Sequence, residues 1–314
     1  MEASKVYYTD FRCPVGTSLL EKLRRVCIAA GIKDIDMDGR FVAIKMHFGE
    51  LGNLAFLRPN YAKVVADLCK EQGGMPFLTD CNTLYPGSRK NALEHLSCAQ
   101  LNGFWPMTTG CQVIIGDGLR GTDEVEVPVP NGEYCKTAKI GRAIMDADIF
   151  ISLTHFKGHE ATGFGGAIKN ISIGIASSGG KAWIHSAGTT KDVGKVWGNL
   201  PPQDDFLESM TEAAKAITDH CGDKILYISV ANNLSVDCDC DSSPEDPKMG
   251  DIGILASLDP VALDRACTDL VRSSKDHGKI HLIERIDSRH GMHTLDYAEQ
   301  LGMGSQKYEL VEIN

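Results

Sequence analysis

Residues 149–186 read IFISLTHFKGHEATGFGGAIKNISIGIASSGGKAWIHS. The first five, Ile149-Phe150-Ile151-Ser152-Leu153, form a short apolar run of the kind that makes a buried strand. From Thr154 onward the character changes to glycines interleaved with His155, Lys157, His159, Lys169, Lys181 and His185. Open α/β sheets place their sites where strands end, and this loop leaves a strand at Leu153. Gly163, Gly165 and Gly166 let backbone approach a ligand closely or turn with positive φ. Histidine supplies metal binding or proton transfer near neutral pH. A partly buried lysine supplies a nucleophile.

Working outward, Phe41 to Met46, Pro76 to Thr79, Gln112 to Ile115, Lys224 to Val230 and Asp251 to Ala256 read as further strands. Helical spacing runs over Ser18 to Ala30, Asn60 to Glu71, Arg89 to Ala99, Thr137 to Asp146 and Phe206 to Asp219. Another helix opens at Asp259-Pro260, with Asp259 as cap and Pro260 in its favoured first position. Glu124 to Pro130 alternates with period two, and its prolines place it on an edge. This alternation predicts an α/β fold, a mostly parallel sheet flanked by helices. The Gly- and Pro-containing stretch from Ser186 to Asp205 divides the single domain 1–314 into two closely associated lobes, 1–190 and 205–314.

The 314 residues are 43% hydrophobic and 24% charged, with a net charge of -10. That balance speaks against nucleic acid as a partner, because phosphate binding needs clustered Lys and Arg. No apolar run approaches the roughly 18 residues that would span a bilayer. The first residues lack the charged start and apolar stretch of a signal peptide. Eleven cysteines, an odd number spread along the chain, read as reduced thiols. A cytoplasmic protein without membrane attachment is the expectation.

Three familiar patterns fail on inspection. Gly174 to Lys181 looks like a phosphate loop, but it has one residue too many before the lysine, and Ala182 replaces the magnesium-binding hydroxyl. Gly163-Phe164-Gly165-Gly166 starts a dinucleotide fingerprint, yet Ile168 stands where the third glycine belongs. His159-Glu160 opens a zinc-protease motif whose second histidine position holds Gly163.

Lys45-Met46-His47-Phe48-Gly49-Glu50, the run from His155 to Lys169, Cys238-Asp239-Cys240 and the stretch Asp251 to Ala262 together resemble the domain of unknown function 362 family over nearly the whole chain. Members of that family are often labelled iron–sulfur-centre proteins, and many carry a ferredoxin insert soon after the equivalent of His185-Ser186. This chain departs there: it contains no C-x-x-C, so ferredoxin-type 4Fe-4S clusters are not expected. His159, Gly163 to Gly166, Lys169 and His185 also resemble a motif of the nickel-dependent lactate racemase family. Ten residues separate His159 from Lys169, and sixteen separate Lys169 from His185, in agreement with it. The resemblance implies that His159 is an acid/base, Lys169 the covalent anchor of a nickel-pincer nucleotide and His185 a nickel ligand. Ala161-Thr162 and Gly165 depart from the usual neighbours, and the racemases' early arginine-containing motif is not evident around Lys45 to Asn53.

Cys238 and Cys240 offer two soft ligands one residue apart on an acidic loop. Lys45, His47 and Glu50 follow one predicted strand and Cys81 another, so they open onto the same edge as His155. Three functions follow. The first is a metal- or cofactor-dependent enzyme of a small organic acid, racemase- or epimerase-like, using proton or hydride chemistry. There His155, Lys157, His159 and Lys169 are catalytic, and Lys45, His47, Gly163, Gly165, Gly166 and Lys181 join Lys169 in holding the cofactor. The second is an iron–sulfur or other metal-binding carrier that serves a redox partner protein through Cys238 and Cys240, with His185 as a further ligand. The third is a noncatalytic remnant. In the first, Lys169 is partly buried, set on a helix-like continuation from Asn170 to Ala176.

Overall fold

A computed structural model describes residues 3–313. The strands are β1 (Ser4–Thr9), β2 (Phe41–Lys45), β3 (Met75–Asp80), β4 (Gln112–Ile115), β5 (Glu124–Pro128), β6 (Thr137–Gly141), β7 (Ile149–His155), β8 (Lys157–His159), β9 (Gly163–Gly165), β10 (Ile225–Ala231), β11 (Gly253–Ser257) and β12 (Tyr308–Glu312). Eight of them form one sheet in the order β12-β1-β11-β10-β7-β2-β3-β4. Within it β11 runs antiparallel to both neighbours, and the other pairs are parallel. The fold is therefore α/β, with a mostly parallel mixed sheet.

Period two explains how one sheet feeds two cores. Ile149, Ile151 and Leu153 pack with Leu226, Ile228 and Val230 on one face, beneath the helices Leu19–Ala29 and Pro59–Lys70. Phe150 and Tyr227 point the other way, toward the helices Gln203–Cys221 and Pro260–Ser273. Every residue of β7 and β10 is buried, as expected of strands covered on both faces. Because β7 and β10 are adjacent, the sheet continues across the Ser186–Asp205 connection. The helix at Pro260 starts as read, with the Asp259 carboxylate accepting from the amides of Val261 and Ala262.

Three local readings are corrected. Thr137 to Asp146 is not a helix: β6 pairs antiparallel with β5 through Gly141, and only Arg142–Met145 is helical. Cross-strand pairing and burial of Ala138 and Ile140 override the helical spacing. The same pairing puts β5 in a separate two-stranded ribbon. The helix carrying Lys169 is one turn, Ala167–Asn170, and the chain then turns through Ile171–Ile175. β-branched Ile171 and Ile173 and then Gly174 are poor continuations of so short a helix. Arg89 precedes its helix, which starts at Ala92 under an Asn91 cap. No helix of the described residues is long and apolar enough to cross a membrane.

Candidate active site

The parallel strands β2, β3, β7 and β10 end at one edge, with Lys45 beside Thr79 and Ser152, and His155 beside Val230. Over that edge lies a cavity of about 270 Å³. Its wall includes Lys45, His47, Cys81, His155, Lys157, His159, Gly165, Gly166, Lys169, Lys181, His185, Cys238 and Cys240. Gly163 is not part of that wall. It opens β9 directly after the hairpin turn, paired with His159 at φ 79, where a Cβ would lie 2.9 Å from the Ile286 carbonyl oxygen. Gly166 matters through close approach: a Cβ there would sit 2.4 Å from Oδ1 of Asp264. That buried carboxylate accepts from the amides of Ala167 (2.7 Å) and Ile168 (3.0 Å), fixing the one-turn helix that presents Lys169.

Much of the ionisable lining is already paired. Lys45 Nζ meets Asp80 at 3.2 Å and donates to Asn170 Oδ1 at 2.9 Å. Arg89, buried at 2% exposure, lies 3.1 Å from Glu50 and 3.5 Å from Asp80, and donates to the Tyr85 hydroxyl at 2.6 Å. Asp239 takes Nδ1 of His155 at 2.9 Å and Nζ of Lys157 at 3.0 Å, and the other His155 nitrogen faces the Asn232 carbonyl at 2.6 Å. Burial would raise the Asp239 carboxyl, but the charges of His155 and Lys157 hold it below its usual range. Burial likewise opposes the Lys157 ammonium, which Asp239 and Cys238 nevertheless carry above its usual value.

A second group of lining residues differs. His159 Nδ1 accepts from the amides of Ala161 and Thr162, both at 3.1 Å, so the neutral ring carries its proton on Nε2. His185 is the reverse: Nδ1 donates to the Lys181 carbonyl at 2.7 Å, which leaves Nε2 with a lone pair. Burial, then the charge of Lys169, holds His159 below the usual imidazole range, and burial pushes His185 down to about 4. Both rings are therefore neutral at pH 7. Lys169 is partly buried, with Nζ 4.0 Å from Cys238 Sγ. The Cys238 thiol is drawn well down, first by a hydrogen bond from Cys240 and, against burial, by the charge of Lys169. Cys240 is pushed correspondingly up.

The remaining candidates separate cleanly. Burial pushes the Cys81 thiol up, and its Sγ donates to the Ile175 carbonyl at 3.2 Å. Lys181 Nζ donates to the Ala176 carbonyl at 2.5 Å. His290 and His293 bind Asp204 and Glu208 respectively, so they do not form a pair. Sequence reasoning missed Arg89, Tyr85, Asp239 and Glu160. Asp239, between two cysteines, and Glu160, directly after His159, were the two with a visible signal. Among the described residues the cavity wall contains three cysteines, Cys81, Cys238 and Cys240, whereas a cubane cluster takes four thiolates.

The chain is similar to a thylakoid-associated protein of Synechocystis sp., with 27% identity over 229 residues, 70% of this chain and 59% of the relative. It thus spans about three-fifths of that relative's length. The lactate racemase apoprotein from Thermoanaerobacterium thermosaccharolyticum aligns with a TM-score of 0.44 and 13% identity, over 72% of this chain and 50% of that one. A Thermotoga maritima protein aligns with a TM-score of 0.42 and 11% identity, over 92% and 60%. The model of the domain of unknown function 362 family matches residues 42–269, more than half of the chain, and the chain belongs to that family.

Proposed function

We propose that this chain is an enzyme of small organic acids, working by proton or hydride transfer with a bound metal or metal-containing cofactor. The observation that carries the reading is the pair of neutral histidines in one cavity, His159 offering an N–H and His185 a lone pair. With two backbone amides on Nδ1, His159 is held as a neutral donor, suited to stabilising an oxyanion at the reacting carbon. The ammonium group of Lys181 lines the same cavity and complements a carboxylate. Trp197, half-exposed with its ring centroid 6.3 Å from that of His185, adds an aromatic face to the lining.

A nickel-pincer nucleotide fits two side chains present here: Lys169 would anchor it, and His185 would ligate its metal through Nε2. Bound there, it supplies a hydride acceptor. The chain's own residues would bind the substrate carboxylate through Lys181, take the hydroxyl proton on the Glu160 carboxylate as the Cα hydride leaves and return it when the hydride comes back, donate to the same oxygen through His159, and hold the ring of His185 through the Lys181 carbonyl.

The test is interconversion of the enantiomers of short 2-hydroxy acids by anaerobically purified protein, followed by chiral chromatography. Retention of a Cα deuterium label identifies hydride transfer, and its loss to solvent identifies proton transfer. His159→Gln is expected to lower the rate about 10²–10³-fold, the usual effect of removing an oxyanion donor. Failure to interconvert any acid, or a fully active His159→Gln, would overturn the reading.

A further inference from the structure

We propose that Cys238, Cys240 and Glu160 form a site for one thiophilic divalent cation of the zinc class, with His159 outside its ligand set. The inference does not rest on the organic-acid reading. Ligand atoms of His159, Glu160, Cys238 and Cys240 all lie within 4.8 Å of one another. Neutral imidazole binds metal through a lone pair, and the His159 lone pair on Nδ1 is occupied by the amides of Ala161 and Thr162. Its Nε2, 3.6 Å from Glu160 Oε2, bears the proton and so offers a metal no lone pair. Two sulfurs and one carboxylate remain, which leaves a fourth tetrahedral position open, the arrangement of a catalytic zinc site.

The ligands are held in place before any ion arrives. The Cys238 amide donates to Glu160 Oε1 at 3.1 Å, and the Asp241 amide closes a turn onto the Cys238 carbonyl at 3.0 Å. Asn53 Nδ2 donates to the Asp241 carbonyl at 2.9 Å, tying the loop to the strand-end segment after β2. Charge also balances. A dication with two thiolates and a carboxylate carries one net negative charge, and Lys169 Nζ, 4.0 Å from Cys238 Sγ, supplies the compensating positive one. Binding releases the proton of each sulfur that was still a thiol. An entry path exists: Cys240 and Glu160 also line a shallow groove shared with Glu50 and Asp241 that opens to solvent.

Cobalt(II) titration of the reduced, metal-stripped full chain tests the site, read as sulfur-to-cobalt charge-transfer absorption and its displacement by zinc. One equivalent is expected to saturate the band. Cys238→Ser and Cys240→Ser should each abolish or strongly weaken it, while Cys81→Ser leaves it unchanged. His159→Gln should keep band and stoichiometry, and Lys169→Met should weaken binding about tenfold or more. Should Cys238→Ser unfold, the partly exposed Cys240→Ser still decides. The site is refuted if wild type shows no band, if the band survives in Cys240→Ser, or if His159→Gln loses it as completely as the cysteine variants. Because the readout is a spectrum, cobalt binding without turnover would leave this site standing and the organic-acid reading overturned.

Discussion

Two groups of cavity-lining residues use the same residue types and put them to different ends. In one, Lys45, Arg89, His155 and Lys157 are committed to Asp80, Glu50 and Asp239 at 2.9–3.5 Å. In the other, His159, Lys169, His185 and Cys238 have partners that leave a reactive atom open to the cavity. A buried ion pair with every donor used holds geometry, and opening it strands a charge. An ionisable group with one atom unclaimed can meet a ligand. The difference lies in the partners, and those come from distant segments: Asp239 reaches His155 and Lys157 across the ends of β7 and β10.

This contrast can be broken by experiment. The largest effect is expected from Asp239→Ala, which leaves Lys157 and His155 without their counter-charge. Urea unfolding should show a loss of about 3–5 kcal/mol, and a loss below 1 kcal/mol would remove the distinction between the two groups. Gly166→Ala comes next. Its Cβ meets the Asp264 carboxylate, so the one-turn helix must shift, at about 1–3 kcal/mol of stability. The variant should lose turnover more than its stability loss explains, since Lys169 moves with that helix.

A smaller, pH-linked effect belongs to Asp264 itself. Burial raises its carboxyl from 3.8 to about 7, although the amides of Ile168 and Ala167 pull the other way. Between those values the folded chain holds a proton that the unfolded chain has released. Its contribution to stability therefore declines as pH rises from about 4 to about 7, and is level above. Asp264→Asn should flatten that part of the stability profile, and identical slopes in the two proteins would contradict the assignment. The smallest stability change is expected from Lys169→Met, within about 1 kcal/mol, because Lys169 is partly exposed and its Nζ lies 4.0 Å from Cys238 Sγ. The same variant should abolish enantiomer interconversion. A large melting shift here would move Lys169 into the framework.

Much of this was legible in the sequence. The runs at Phe41, Pro76, Gln112, Ile149 and Lys224 are strands, and the segment after Leu153 lines a cavity at their common edge, although it is not a loop at first: β7 continues through His155 and the β8–β9 hairpin follows. Those signals are local, being apolar runs followed by glycine and ionisable residues. What escaped was non-local. β1 and β12 pair the two ends of the chain, and the reversed direction of β11 is set by its neighbours. Thr137 to Gly141 has helical spacing but becomes a strand because β5 lies alongside. Arg89 sits among residues that read as a helix, and nothing nearby in sequence marks Glu50 and Asp80 as its partners. The site's residue types could be read directly, but their proton positions could not: these depend on which backbone groups lie beside each ring.

Those proton positions offer the most direct test. Nitrogen-15 NMR of histidine-labelled protein, assigned through His159→Gln and His185→Gln, distinguishes the two ring tautomers. At pH 7.5 the expected result is opposite neutral tautomers, with the proton on Nε2 in His159 and on Nδ1 in His185. The same tautomer in both rings, or a charged His159, would contradict the division of the cavity into a donor, an acceptor and a saturated frame.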